Sequence, residues 1–364
     1  MKNILVLLLL FLIVSCHQKT VTFSSPKDVD FLINQLELAY IGKGFLPDNE
    51  FEVAIEKLKR IRDVKFSDAK HFCIKIGTIL NDVSDGHLNV RGIEGYCTSK
   101  LKLEGKVGKN IMPSETKGAY YIKHISHPKN ISIVGITHFH SPQDSRWNGI
   151  KPAISKSMQS EVIIFDLRGN SGGNSSMIKN ISRWLLNNSV KHSKKKVYRM
   201  NTIESWIAYR NNIKTIEERV KRSGNDVSHF KEDYDFINES ITKAKNKNSP
   251  RLLVKEFKRP ELGKLNFEGD IYILTDRRCG SSCEHAVELL TFHPKAKTVG
   301  DNTAGLIHFG QMASVTLPDS GITVNLSTQY FEGFEEGFFE LKGYDPDIRV
   351  PDGVDALDYL LNKL

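Results

Sequence analysis

The stretch "VIIFDLRGNSGGNSSMIKNI", residues 162–181, decides the fold of this 364-residue chain. It opens with a short apolar run typical of a buried strand, passes through a glycine-rich turn and continues with apolar residues at helical spacing. The same order of strand, loop and helix returns in "IYILTDRRCGSSCEHAVELLTF", residues 271–292. Alternation of buried strands with helices predicts an α/β core built on parallel strands.

The regions around these two units are organised differently. Residues 16–95 are predicted to form a helical subdomain, and residues 96–364 are assigned to the α/β core. A charged, mostly helical insertion interrupts the core at about residues 200–255, either as a lid over a cleft or as a surface excursion. Apolar residues at helical spacing in the N-terminal subdomain fall in the stretches 24–40, 51–61 and 67–83.

The first residues predict export. A basic Lys2 precedes the apolar run 4–14, which is too short to cross about 30 Å of hydrocarbon and is typical of a signal peptide. The following "IVSC" resembles the bacterial lipobox, so we expect residues 1–15 to be removed and Cys16 to be acylated. The lipid would hold the protein at the periplasmic side of a bacterial membrane, with the outer membrane favoured over the inner. A conventional signal peptide followed by an unrelated cysteine is the alternative.

The basic residues of the chain do not indicate a nucleic-acid partner. The formal net charge is +8. The basic residues gather in "KHSKKKVYR", 191–199, and "KAKNKNSPR", 243–251, which contain few aromatic residues and match no nucleic-acid-binding motif. We therefore expect a solvated basic surface and no nucleic-acid partner.

The glycine-rich turn 169–173 has three open interpretations. Its backbone N–H groups can point outward at the positive end of the following helix, an arrangement that suits an anion. A nucleotide phosphate has little support, because neither GxGxxG nor GxxxxGK[ST] is present, and a transient oxyanion is the other candidate. A turn that only changes the direction of the chain is the third interpretation.

Ser281 opens the second helix and precedes Glu284 by three residues, which is the spacing of a capping box. A serine at a helix N-terminus is also well placed as a nucleophile, because the N–H groups that follow it can stabilise negative charge on a substrate. Such a serine needs a base, and His87 in "NDVSDGHLNV" lies on a glycine-containing turn of the kind that presents functional groups. His138 and His140 are expected to share a strand face, but no further ligand accompanies them, so we expect no metal and no other cofactor.

Five motifs follow one another in the chain: "DGHL" at 85–88, "DLRGNSGG" at 166–173, "GSSCE" at 280–284, "VGDNTAG" at 299–305 and "ELKGYDPDIRV" at 340–350. Taken together, they resemble the tail-specific (C-terminal-processing) serine peptidase family, over most of the chain from about residue 70 apart from the insertion. The resemblance implies an α/β core that is crotonase-like (ClpP/crotonase). It also implies a serine endopeptidase that hydrolyses proteins or peptides through an acyl-enzyme.

The resemblance places the nucleophile three residues before the glutamate, at Ser281 and not at Ser282. Position in the chain agrees, since Ser281 is expected at the loop–helix junction while Ser282 is already inside the first turn. The backbone N–H groups of Gly172 or Gly173 and of Ser282 would then form the oxyanion hole.

The base is expected to be a histidine. Bacterial processing enzymes of this family pair their serine with a lysine, and that position falls here on or near Leu306, so a Ser–Lys dyad is not expected. The branch similar to the archaeal tricorn core uses a histidine oriented by a glutamate, and His87 and Glu340 match these two residues. His87 would take the serine proton while Glu340 holds the imidazole in the required tautomer.

Export would place the four cysteines that follow Cys16 in an oxidising compartment. Sequence alone allows three pairings. Cys279 and Cys283 flank the nucleophile junction, and we predict that they form a small disulfide ring while Cys73 and Cys97 pair separately. Two buried thiols are the alternative for the first pair.

A rival function keeps the fold without the chemistry. Retinoid-binding modules with this fold do not act as peptidases, so the alternative is a non-catalytic binding protein for a hydrophobic ligand or a peptide. The joint presence of Ser281, His87 and Glu340 favours the peptidase. An α/β-hydrolase esterase lacks support because no G-x-S-x-G surrounds Ser281. Too few residues separate His87 from the strand at Ile131 for the PDZ domain of many relatives, and the sequence assigns no oligomeric state.

Overall fold

The computed structural model describes residues 23–98, 118–126, 128–186, 195–257, 265–332 and 337–364. The predicted signal peptide, residues 1–15, and Cys16 lie outside the described residues. Within those residues, no helix is both long enough and apolar enough to cross a membrane. The described α-helices are α1 (Pro26–Leu38), α2 (Glu50–Ile61), α3 (Ala69–Asn81), α4 (Ile150–Ser157), α5 (Ser176–Leu186), α6 (Ile203–Arg222), α7 (Phe230–Ala244), α8 (Ser282–Leu290) and α9 (Ala356–Leu361). The described strands are β1 (Asn89–Gly92), β2 (Gly95–Tyr96), β3 (Tyr120–Ser126), β4 (Asn130–Ile136), β5 (Val162–Asp166), β6 (Lys195–Met200), β7 (Leu252–Phe257), β8 (Asp270–Thr275), β9 (Ala296–Gly300), β10 (Phe309–Thr316), β11 (Thr323–Phe331) and β12 (Ile348–Arg349).

A six-stranded sheet, in the order β12-β9-β8-β5-β4-β3, forms the centre of the core. Its strands run parallel except β3, which pairs antiparallel with β4 at one edge. All five residues of β5 are buried, as expected for a strand covered on both faces. Helices α4, α5 and α8 pack on one face of the sheet and α9 on the other. The predicted α/β core with parallel strands is confirmed.

The parallel pairing brings the two predicted site loops together. β5 pairs with β8 from Val162 opposite Asp270 to Asp166 opposite Leu274, so the two strands end at the same level. Because carboxyl ends of adjacent parallel strands meet at one edge of a sheet, the glycine-rich turn lies beside the loop of residues 276–281 between β8 and α8. This loop carries the candidate nucleophile Ser281 and is called the nucleophile loop below. The N–H of Gly280 also donates to the carbonyl oxygen of Asn170 at 3.2 Å, which connects the two loops directly.

A second, antiparallel sheet lies under the N-terminal helices. It has the order β2-β1-β11-β6-β7, and β10 also pairs with β11. The three helices α1, α2 and α3 share an apolar cluster with this sheet, in which Leu32, Leu58 and Ile76 lie with Val324. Helix α1 begins where the Ser25 hydroxyl accepts the N–H of its first turn, the usual role of an N-cap serine. The predicted helical N-terminal region is confirmed.

Helices α6 and α7 occupy the segment predicted as an insertion. They lie between β6 and β7, which pair with each other and extend the second sheet. The two helices have an apolar cluster of their own around Trp206 and Ile237. Helix α6 also contacts β10, where Asn212 Nδ2 donates to the Met312 carbonyl oxygen at 2.9 Å. The insertion is therefore packed against the second, antiparallel sheet.

Candidate active site

Ser281 lies between the loop after β8 and helix α8. Its backbone has φ 57° and ψ −116°, a conformation that residues other than glycine rarely adopt. Backbone strain of this kind is concentrated at functional sites, where the surrounding structure holds a side chain in one direction. The N–H of Ser281 donates to Glu284 Oε2 at 2.9 Å, so the strained residue is fixed from the first turn of the helix.

Ser282 is the first residue of α8, and its hydroxyl is already engaged. The Ser282 Oγ donates to the carbonyl oxygen of Gly173 at 2.6 Å, and only 8% of the residue is exposed. This bond connects the nucleophile loop with the glycine-rich turn. The Ser282 hydroxyl therefore has a structural role, which leaves Ser281 as the better candidate nucleophile.

The glycine-rich turn lies directly against Ser281. A Cβ added to Gly172 would lie 3.0 Å from the Ser281 Cβ, and Gly172 and Gly173 have φ values of 98° and 127° that suit glycine. The N–H of Gly172 donates to Asn170 Oδ1 at 2.9 Å. Among the described residues, the N–H groups of Gly173 and Ser282 have no acceptor. Of the predicted oxyanion-hole groups, Gly173 and Ser282 are thus the pair whose N–H groups remain available to a substrate.

Glu284 fastens the nucleophile loop to residues 303–306. Its Oε1 accepts from the Thr303 hydroxyl at 2.6 Å and from the Gly305 N–H at 2.7 Å, and its Oε2 accepts from the Leu306 N–H at 2.7 Å. Burial raises the pKa of Glu284 to about 7, although these bonds oppose the shift. The glutamate of "GSSCE" is therefore a buried anchor for the candidate nucleophile, Ser281.

The candidate base lies on the loop after α3. His87 is 7% exposed, and one of its ring nitrogens lies within 4.8 Å of a carboxylate oxygen of both Asp85 and Glu340. Asp85 Oδ1 accepts the backbone N–H of His87 at 2.8 Å, which fixes the turn. The structure thus brings His87 and Glu340 together and adds a second carboxylate, Asp85.

Glu340 is held by backbone N–H groups from two loops. Its Oε1 accepts from Gly86 at 2.9 Å, and its Oε2 accepts from Ile307 at 2.9 Å and from His308 at 2.8 Å. Burial, followed by the charge of Asp85, raises the pKa of Glu340 well above its ordinary value. Because a carboxylate has about four acceptor positions, these three bonds use most of the capacity of Glu340.

Asp85 and Tyr40 are candidate functional residues that the sequence reasoning missed. Asp85 is fully buried, and within the described residues its Oδ2 has no hydrogen bond of good geometry. Tyr40 lies beside it after α1, and burial followed by the charge of Asp85 raises the pKa of Tyr40 well above its ordinary value. The available signal was the aspartate two positions before the histidine in "DGHL". The Asp85 carboxylate is therefore a buried acceptor close to both Tyr40 and His87.

Leu306 lies at or near the position that the family resemblance gives to the lysine of a Ser–Lys dyad. Its side chain lies between the loop that carries His87 and the loop that carries Ser281. A Cβ on Gly86 would collide with one Leu306 methyl group, and a Cβ on Gly280 would lie 2.9 Å from the other. The residues that precede His87 and Ser281 therefore contact the same apolar side chain. His87, Ser281 and Gly173 line one cavity of about 1950 Å³, which is large enough for several residues of a peptide.

His138 and His140 are not on a strand, since β4 ends at Ile136. The predicted shared strand face is therefore wrong, although the two rings lie near each other with centroids 4.8 Å apart. Burial, followed by the charge of Arg146, lowers the pKa of His140 to about 4, so this ring is neutral at neutral pH. In the described part of the chain, neither histidine belongs to a group of three candidate metal ligands.

His308 lies near the site but has bonds that exclude it as the base. Its Nε2 accepts the N–H of Phe339 at 2.9 Å, which places the ring proton on Nδ1. Nδ1 then donates to the carbonyl oxygen of Phe331 at 3.0 Å. Both nitrogens hold backbone groups, so His308 is a structural residue.

The four cysteines of the described residues lie in two pairs. Cys279 and Cys283 are joined with a Cα–Cα distance of 5.2 Å, and Cys73 and Cys97 with a distance of 5.7 Å. The first pair encloses Ser281 in a short covalent ring. The second pair joins α3 to the residues that follow β2.

Comparison with known proteins identifies the family. Residues 130–350, more than half of the chain, match peptidase family S41. No curated protein matches the chain. Solved structures of similar fold include a candidate peptidase from Parabacteroides merdae, 16% identical over 94% of this chain and 97% of that chain with a TM-score of 0.58. Another is mature CPAF complexed with lactacystin, 13% identical over 93% of this chain and 96% of that chain with a TM-score of 0.54. At these identities the structural likeness concerns the fold alone, whereas the sequence match shows that the chain belongs to peptidase family S41 and is a serine peptidase.

Proposed function

We propose that this serine peptidase cleaves proteins or peptides internally, with Ser281 as nucleophile and His87 as general base. The observation that carries the proposal is the strained Ser281 at the start of α8, in one cavity with His87 and Gly173 and directly against Gly172 of the glycine-rich turn. A nucleophile, a base and donors for an oxyanion are the parts that acyl transfer requires.

The chemistry proceeds through an acyl-enzyme. The Ser281 Oγ attacks the scissile carbonyl carbon while its proton passes to His87, and the carbonyl oxygen becomes an oxyanion that the N–H groups of Gly173 and Ser282 stabilise. The C–N bond then breaks, and His87 gives its proton to the departing amine. Water attacks the acyl-enzyme with His87 again as base, which releases the acid and restores Ser281.

Two buried carboxylates position the base in this mechanism. Glu340 matches the glutamate of the tricorn-like branch. Its three backbone bonds hold the loop of residues 82–88, which carries His87 and is called the base loop, against residues 307–308. Asp85 is fully buried, and its Oδ2 has no well-formed bond among the described residues. One of its carboxylate oxygens lies within 4.8 Å of a ring nitrogen of His87. We assign Asp85 as the direct partner of the imidazole and Glu340 as the residue that fixes the base loop.

The reactive serine can be identified with a fluorophosphonate probe. We expect the probe to label Ser281 in the mature protein, because Ser281 lies at the strained start of α8 in the cavity that His87 also lines, whereas the Ser282 hydroxyl is engaged by Gly173. Labelling should disappear in Ser281→Ala and persist in the matched variant Ser282→Ala. Peptide mapping by mass spectrometry is the measurement. A label on Ser282, or none on the folded protein, would contradict the assignment.

The same proposal includes a lipid anchor at Cys16 and a periplasmic location, with the outer membrane favoured. Its support is the sequence pattern before Cys16 and the presence of two disulfides, which form in oxidising compartments. We expect the membrane-extracted protein to begin at Cys16 and to carry the mass of an acylated cysteine. Intact mass spectrometry is the measurement, with Cys16→Ala as control. A chain that retains residues 1–15 with an unmodified Cys16 would refute the anchor.

A further inference from the structure

Arg199 of β6 is a cation that has no carboxylate partner among the residues that the structure describes. Its Nε and Nη2 atoms are buried and have no hydrogen-bond partner among the described residues. Burial lowers the pKa of Arg199 to about 10, and the one group that opposes this shift is Tyr209. The guanidinium therefore still carries its charge at neutral pH. A buried charge of this kind is costly unless another charged group compensates it.

Two aromatic side chains of the insertion hold this guanidinium. Its Cζ lies 3.8 Å from the ring centroid of Trp206 and 4.9 Å from that of Tyr209. Trp206 is 1% exposed, and its Nε1 donates to Asn201 Oδ1 at 2.9 Å, so this ring is fixed. Stacking occupies the face of a guanidinium and leaves its edge for hydrogen bonds. The Nε and Nη2 donors of Arg199 share one such edge.

Other arginines of the chain show what this edge binds. Arg62, Arg146 and Arg168 each hold a carboxylate with their Nε and Nη2 atoms, at distances of 2.6 to 2.8 Å. The paired geometry is the usual one between arginine and a carboxylate. Arg199 has the same pair of donors, and it lines the cavity that also contains Ser281.

We infer that Arg199, held by Trp206 and Tyr209, binds a carboxylate of the substrate. The carboxylate is either an acidic side chain or the C-terminus of the bound chain, since both offer the same two oxygens. The peptidase should then prefer substrates that place a negative charge at this subsite. The inference rests on the proposed function only because the substrate must occupy the cavity of Ser281.

Paired internally quenched peptides test the subsite. One series exchanges Glu for Gln at each position around the cleaved bond, and a second compares a free C-terminus with a C-terminal amide. We expect one pair to differ by about 10- to 100-fold in kcat/KM, as a charged hydrogen-bonded pair allows. The ratio should fall towards 1 in Arg199→Gln and be retained in Arg222→Gln, an exposed arginine at the end of α6. The series in which the difference occurs identifies the source of the carboxylate.

Two outcomes would overturn the inference. The first is a kcat/KM ratio near 1 for every peptide pair with the wild-type enzyme. The second is a ratio that Arg199→Gln leaves unchanged, including the case in which the substitution lowers kcat/KM equally for both members of each pair. If Arg199→Gln does not fold, Arg199→Lys replaces it, because lysine keeps the charge but loses the paired donors and should retain only part of the preference. If no peptide is cleaved and no probe labels Ser281, the proposed function fails. The dissociation constants of the same pairs, measured with Ser281→Ala, then still test the subsite.

Discussion

Replacing His87 with alanine should lower kcat/KM by on the order of 10³-fold or more. The Ser281 hydroxyl must lose its proton as it attacks, and a serine without a base is a weak nucleophile. His87 lines the same cavity and lies beside two buried carboxylates, Asp85 and Glu340. In the proposed mechanism these carboxylates stabilise the imidazolium. Steady-state hydrolysis of a quenched peptide is the measurement.

The matched control for this loss is His71→Ala. His71 is an exposed histidine of α3, on the helix that precedes the base loop, and its replacement should leave kcat/KM unchanged. Labelling by a fluorophosphonate probe should slow together with peptide hydrolysis in His87→Ala, because both reactions need the activated Ser281. Full activity in His87→Ala would end the assignment. Since both nitrogens of His308 hold backbone groups, the search would then turn to the lysines that line the cavity.

The parallel core was predictable because its signals are local. A short apolar run, a turn rich in glycine and a helix cap lie next to one another in residues 162–181 and again in 271–292. Which strands pair with one another was harder to predict from the sequence. The apolar runs of β10 and β11 predict strands but do not say that they leave the central sheet for a second, antiparallel one. The strand expected at Ile131 also extends to His138 and His140, past the true end of β4 at Ile136, because strand propensity does not mark where pairing stops.

The candidate site was predictable where residues form a motif and not where they meet through the fold. Ser281, His87 and Glu340 were named from ordered motifs, and the structure brings the last two within 4.8 Å. Gly86 and Glu340, which hydrogen bond, are 254 positions apart, so no local pattern predicts this contact. Tyr40 reaches the same cluster from the N-terminal helices. The sequence predicts a solvated basic surface for residues 191–199, which include Arg199. The contact of Arg199 with Trp206 depends on how the insertion packs against β6, which no local pattern predicts.

The central sheet also explains why two neighbouring serines have different surroundings. The register of β5 and β8 sets the glycine-rich turn beside the start of α8, so the first residue inside the helix faces the carbonyl oxygen of Gly173. Ser281, one residue earlier, has the strained backbone and lies against Gly172. Sequence predicts the junction, but the acceptor that engages Ser282 comes from a loop more than a hundred residues away.

Asp85→Asn should lower kcat by on the order of 10²- to 10⁴-fold with little change in KM, because an amide in place of the carboxylate no longer holds the imidazole in the required tautomer. The fold should not weaken. Asp85 and Glu340 are both buried and close together, and removal of one negative charge relieves their repulsion. The Asn side chain can still accept the His87 N–H that Asp85 Oδ1 accepts. The measurements are steady-state kinetics and the free energy of unfolding of the same protein samples.

The pH dependence of stability separates this role of Asp85 from a structural one. Burial and then the charge of Asp85 raise the pKa of Glu340 well above its ordinary 4.5. A raised folded-state pKa means that the contribution of Glu340 to stability is complete below pH 4.5 and is lost as the pH rises through the folded value. Asp85→Asn lowers the folded value, so its stability relative to wild type should increase as the pH rises above 4.5. Glu340→Gln is the matched variant. It should mainly lower the free energy of unfolding, because the NH2 group of the glutamine would face backbone N–H donors that now bond to a carboxylate oxygen. A large loss of kcat in Glu340→Gln with full activity in Asp85→Asn would instead make Glu340 the direct partner of His87.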